Sequence, residues 1–185
     1  MIIASQKRKE NIAEYLLYMW QIEDMIRAND LEIDKIQTNI IDRFQDLTPE
    51  QKKEITEWYD SLIDMMRREG VAEHGHLQIN RNILGELTEL HKQLLGDSRF
   101  NRYQSLYYKV LPYIVELRSK AGAVAEDEIA TCFTALYGML ILKLQGKEVS
   151  EETARAISEI TTLVATLSAY YHKNENEPLF TPSDL

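Results

Sequence analysis

The 185 residues carry 21 Lys and Arg against 30 Asp and Glu, a formal net charge of −9 with a pI near 5.0. Nucleic-acid phosphates repel such a surface, and the densest basic run, Lys7-Arg8-Lys9, is too short to overrule the total. The lone cysteine, Cys132, cannot form an intramolecular disulfide, which points to a reducing compartment, and a chain of this length buries roughly 70% of its unfolded surface without staples.

The apolar piece Met1-Ile2-Ile3-Ala4 precedes its basic run, the reverse of a secretory signal, so none is expected. The longest stretch without charge, Ile129 to Leu142, has 14 residues, whereas about 20 are needed to span a bilayer. A cytoplasmic protein without a membrane anchor is the expectation.

Seven Gly and four Pro fall mostly between apolar segments of period three to four, which predicts helix throughout. A first helix, from Ser5 or Arg8 to Ala28, carries the stripe Ile12, Tyr15, Met19, Ile22 and Ile26, and Asn29-Asp30 breaks it. A second holds Ile33, Ile36, Ile40 and Phe44. The third has the clearest start: Thr48 caps, Pro49 suits the first helical position, and Gln51 returns the bond. Gly70 ends it.

The fourth predicted helix spans about Leu77 to Leu95 and stops at Gly96-Asp97. The fifth, Arg99 to Arg118, turns Tyr103, Tyr107, Val110 and Ile114 inward, and Pro112 should kink it or open one turn. After a short loop, Ser119 to Glu126, the sixth runs from Asp127 to Gln145 and is apolar nearly all round, so it is expected at the centre of the fold. Cys132, beside Phe133 and Leu136, reads as core rather than as a nucleophile. The seventh starts at Ser150 with Glu151 and Glu152 at the positive end of the dipole, and runs to Tyr171. The expected fold is all-α: a single-domain bundle of about seven helices over residues 1–171 with up-and-down packing. Residues 172–185 read as an extended or disordered tail, with Leu179 and Phe180 as candidate interface residues.

Several chemistries lack their residues. There is no glycine-rich phosphate loop, no cysteine pair for zinc and no Gly-x-Ser-x-Gly elbow, and neither Glu86 nor Glu89 stands three residues before His91, as the paired motifs of di-iron bundles would require. No cofactor and no metal site is implied, and no catalytic residue stands out.

Polar residues at core positions give the one site-level lead. At 100° per residue, the apolar arc of the fourth helix (Ile83, Leu87, Leu90, Leu94) also contains Asn80 and His91, and His76 lies one turn before Asn80. A buried polar group must find a partner. His76, Asn80 and His91 therefore either line a ligand pocket with Glu73 and His74 at its mouth, or satisfy neighbouring groups in a dry core. On the first helix Glu23 falls on the buried arc with Arg27 at i+4, an intrahelical ion pair or a second part of that pocket.

The run Arg8-Lys9-Glu10-Asn11-Ile12-Ala13-Glu14-Tyr15-Leu16-Leu17-Tyr18-Met19-Trp20 is joined by Gly75-His76-Leu77-Gln78, Leu90-His91, Cys132-Phe133 and Leu136-Tyr137-Gly138. Together these resemble an uncharacterised all-helical bacterial family, the domain of unknown function 4924, across nearly the whole chain. The resemblance implies a soluble helical protein and carries over no catalytic residue. Two functions stay open. The first is a non-enzymatic protein acting through contacts, as a homodimer or with a protein partner. The second is a small-molecule or metal-binding bundle, or an enzyme, using Glu23, His76, Asn80 and His91.

Overall fold

Asn11 divides the first expected helix in two. The computed structural model describes residues 2–121 and 127–180, and in it α1 (Ile2–Glu10) stops one residue before α2 (Ile12–Ala28). Asn11 has extended backbone, φ −156° and ψ 102°, and its Oδ1 accepts from the backbone N–H of Ala13 at 3.1 Å and Glu14 at 3.2 Å. That is an N-cap inside a continuous apolar pattern, and asparagine caps well while extending helices poorly. Two more bonds come from the far end of the chain. Ser168 Oγ donates to Asn11 Oδ1 at 2.9 Å, and the Ile12 N–H donates to His172 Nε2 at 3.1 Å.

The short α3 (Ile33–Asn39) gives way at Ile40 to a 3-10 turn, Ile41–Arg43, so Phe44 is half exposed and not part of a helical stripe. The start of α4 (Pro49–Arg68) follows the expected chemistry. Thr48 Oγ1 accepts from the Gln51 N–H, and Gln51 Oε1 accepts from the Thr48 N–H at 2.9 Å. Gly70, at φ +70°, closes it in the left-handed region where a side chain would be strained.

Next come α5 (Gln78–Gly96), a 3-10 turn over Ser98–Phe100, α6 (Asn101–Ala121), α7 (Glu128–Leu144) and α8 (Glu151–Asn176). Every described element is helical, with eight α-helices among the described residues. No helix of the described residues is long and apolar enough to cross a membrane. α6 runs unbroken through Pro112. Pro112 is exposed and so is Tyr108, whose carbonyl loses its helical donor on the wet side, where water can replace it.

Side-chain pairs set the helix directions. His91 meets Tyr103 at the far end of α5, so α5 and α6 run opposite ways. His91 also lies 3.7 Å from Glu128, while His76, just ahead of α5, stacks on Trp20, which touches Phe133 and Tyr137. α7 is therefore also antiparallel to α5, and α6 and α7 point the same way. The expected alternation is broken at that step, because α7 begins beside Tyr107, in the first half of α6. Residues 122–126 of the expected loop lie outside the described residues.

The central placement of residues 127–145 needs correcting along its length. Ile129, Thr131, Cys132 and Phe133 are buried among α2, α5, α6 and α8, but from Ala135 onward no residue of α7 is. Met139 to Leu142 are only partly buried, and Leu144 is 66% exposed. The expected tail is also shorter. α8 continues past Tyr171 to Asn176, one further turn, and buries Tyr171. Residues 181–185 of that tail lie outside the described residues.

Replacing Asn11 by Ala should cost about 1–2 kcal/mol, the usual range for a lost N-cap. Urea unfolding checks this through a lower midpoint at an unchanged slope.

Candidate functional site

Leu77 holds the N-cap position of α5, and its side chain has nothing to offer the free N–H groups there. Acceptors come from outside the helix. Glu23, on α2 and wholly buried, takes the Leu77 N–H on Oε1 at 3.0 Å, and the same oxygen accepts from Asn80 Nδ2 at 2.6 Å. Glu69, just past α4, takes the Gln78 N–H at 2.6 Å. Both carboxylates also face the positive end of the α5 dipole. The second oxygen of Glu23 lies 2.6 Å from His76 Nδ1, which donates to it and so carries the proton.

The His76 ring lies flat on Trp20, with centroids 4.0 Å apart and 11° between planes. Tyr137 of α7 meets Trp20 edge-on and donates to Asp24 at 2.5 Å. Arg27 does not pair with Glu23. Its Nη1 bonds Asp24 at 2.7 Å, and its Nη2 donates to the carbonyls of Val71, at 3.2 Å, and Gly75. The expected i,i+4 ion pair gives way because the guanidinium holds the loop between α4 and α5. Gly75 permits that loop its left-handed turn, at φ +85°.

His91 stands elsewhere. About four turns of α5 separate it from Leu77, roughly 20 Å. Its Nδ1 lies 2.7 Å from Tyr103 Oη, and its ring meets Tyr107 edge-on, while the Tyr107 hydroxyl donates to Glu128 at 2.7 Å. Burial holds the imidazole below its usual 6.5, although the adjacent Glu128 and Asp127 pull the other way. Burial likewise pushes the Cys132 thiol up to about 12, so it is a core group and not a thiolate. Tyr103 and Tyr107 are raised for the same leading reason and stay protonated.

Of the pocket candidates, Glu23, His76 and Asn80 come together and Arg27 borders them, whereas His91 belongs to a different cluster. Glu73 and His74 are exposed on the loop and join neither. A pocket lined by all four of Glu23, His76, Asn80 and His91 is thus not what the chain builds. Leu179 and Phe180 are held against the chain's own surface. Phe180 packs on Phe100 with centroids 5.4 Å apart, and the Leu179 N–H donates to Asn174 Oδ1 on α8 at 2.8 Å.

Sequence reasoning misses Glu69, Glu128 and Tyr137, whose roles depend on neighbours distant in the chain. One signal is present: a helix opening on Leu77 without a capping side chain of its own requires outside acceptors. Chemically, Glu23 orients the His76 ring through Nδ1, and His76 Nε2 makes no hydrogen bond among the described residues. No group of three or more His, Cys, Asp or Glu among the described residues is placed to hold a metal ion.

Fold and site together define a small all-helical bundle fastened by buried polar side chains. The chain belongs to the family described as a domain of unknown function (DUF4924), whose model matches residues 1–178. No curated protein and no solved structure matches it.

Two measurements test these clusters. Glu23→Ala strands the Leu77 N–H, the Asn80 amide and His76 together, so it should cost on the order of 3 kcal/mol, with Glu23→Gln milder because one acceptor oxygen survives. Chemical denaturation of both variants gives the values. For His91, the unfolded imidazole takes up a proton as pH falls through 6.5 while the folded one does not. The unfolded state then binds more protons, so this contribution is complete above 6.5 and is lost as pH falls towards the lowered folded value. Melts at a series of pH values should show that loss in the wild type and a shallower one in His91→Gln.

Proposed function

We propose that this is a non-enzymatic protein that works through contacts, first of all with a second copy of itself. The observation that carries the reading is the second half of α7. Leu136, Met139, Leu140, Ile141 and Leu142 are all partly exposed, and the 14 residues from Ile129 to Leu142 contain no charge. Tyr108 and Val115, seven residues apart on α6, add exposures of 65% and 57%. Two copies of a chain at −9 repel one another over most of their surface. A self-contact therefore belongs where charge is absent and apolar area remains to be covered.

The same balance of charge speaks against a nucleic-acid partner. A buried, solitary Cys132 fits a protein working in a reducing cytoplasm. Both oxygens of Glu23 are engaged in holding α5 and His76, which speaks for an architectural role of the pair.

Light scattering on a sizing column should give twice the chain mass of 21.5 kDa. Leu140→Asp and Leu144→Asp should each return it to one chain mass. Leu144 is exposed enough that its variant should keep its melting point within a few degrees. A wild type that stays monomeric at high concentration, or a dimer indifferent to both substitutions, overturns the proposal.

A further inference from the structure

We propose that the cavity between α1, α2 and α4 binds a small hydrophobic organic cation, an alkyl- or arylammonium. The cavity measures about 340 Å³, within the range of sites that hold small molecules. Four aromatic rings line it: Tyr18 from α2, Phe44 from the link after the 3-10 turn, and Trp58 and Tyr59 from α4. Trp58 and Tyr59 stand edge-to-face with centroids 5.1 Å apart. Burial raises both tyrosines, Tyr59 to about 12, so their rings are uncharged at neutral pH.

The polar part of the lining decides the sign of the ligand. Among the described residues, Glu54 is its one charged residue and Gln51 its one amide, and no Lys, Arg or His lines it. A fatty acid or other organic anion would meet a carboxylate and no counter-charge. An ammonium group meets that carboxylate and four aromatic rings, a combination that favours cations. The chain's overall charge of −9 adds attraction of the same sign at longer range. Phe44 at 50% exposure and Ile3 at 56% are apolar side chains at the cavity that remain open to solvent. A hydrophobic tail would cover them. This inference does not depend on the α7 contact.

Three probes with one tail and different heads separate the possibilities: octyltrimethylammonium, octanoate and 1-octanol. Titration is followed by tryptophan fluorescence, to which Trp58 contributes, and by melting temperature. The ammonium probe should bind saturably and at least about tenfold more tightly than octanoate. Glu54→Gln, at an exposed position, should bring the two to within about threefold. Trp58→Ala should weaken the ammonium probe about tenfold while circular dichroism shows the helices intact. Raising the salt separates the long-range attraction from the local one, because only the former is strongly screened. Octanoate binding as tightly as the cation, no saturable response to the cation, or a preference unchanged in Glu54→Gln overturns the proposal.

Discussion

A carboxylate with no exposure to water sets the geometry of the bundle. The interior supplies Glu23 with what water would have given: the Leu77 N–H, the Asn80 amide, and His76. Removing a carboxylate from water without such partners costs several kcal/mol. The same four groups determine where α5 begins and how it registers against α2. If α5 slid by one turn, the carboxylate would face Leu77's neighbours and lose its donors. Apolar packing alone tolerates such slippage better, since one aliphatic contact resembles another.

What can be read from the chain alone depends on how local the governing chemistry is. α4 is legible at both ends because Thr48, Pro49 and Gln51 act within a turn of one another and Gly70 closes the helix by its own conformation. The break at Asn11 is not, because half of what stabilises it comes from Ser168 and His172. Periodicity places Glu23 on the buried arc but does not identify its partner. The i,i+4 rule knows about Arg27 and nothing of the carbonyls of Val71 and Gly75 that draw Arg27 away. α7 shows a different gap. Composition states which residues favour burial, not whether enough chain exists to cover them, and beyond Phe133 the coverage runs out.

The polarity buried in this core is unevenly satisfied. Trp20 Nε1, Arg27 Nε and Asn80 Oδ1 are buried without a hydrogen-bond partner among the described residues, and all three belong to the side of the bundle where Glu23 sits. His91 Nε2, also without one, points to the second cluster, where Glu128 lies 3.7 Å away. Unmet groups of this kind weaken a fold locally, by about 1–3 kcal/mol each.

The bonds from α8 to the start of α2 bear on how the chain is made. Ile12 emerges from the ribosome long before His172, which lies 160 positions later. Until α8 is synthesised, the amide of Ile12 has only water to turn to, and the cap at Asn11 rests on the Ala13 and Glu14 amides alone. α2 thus reaches its final seat only after α8 is complete, a topology that delays closure until synthesis has almost ended.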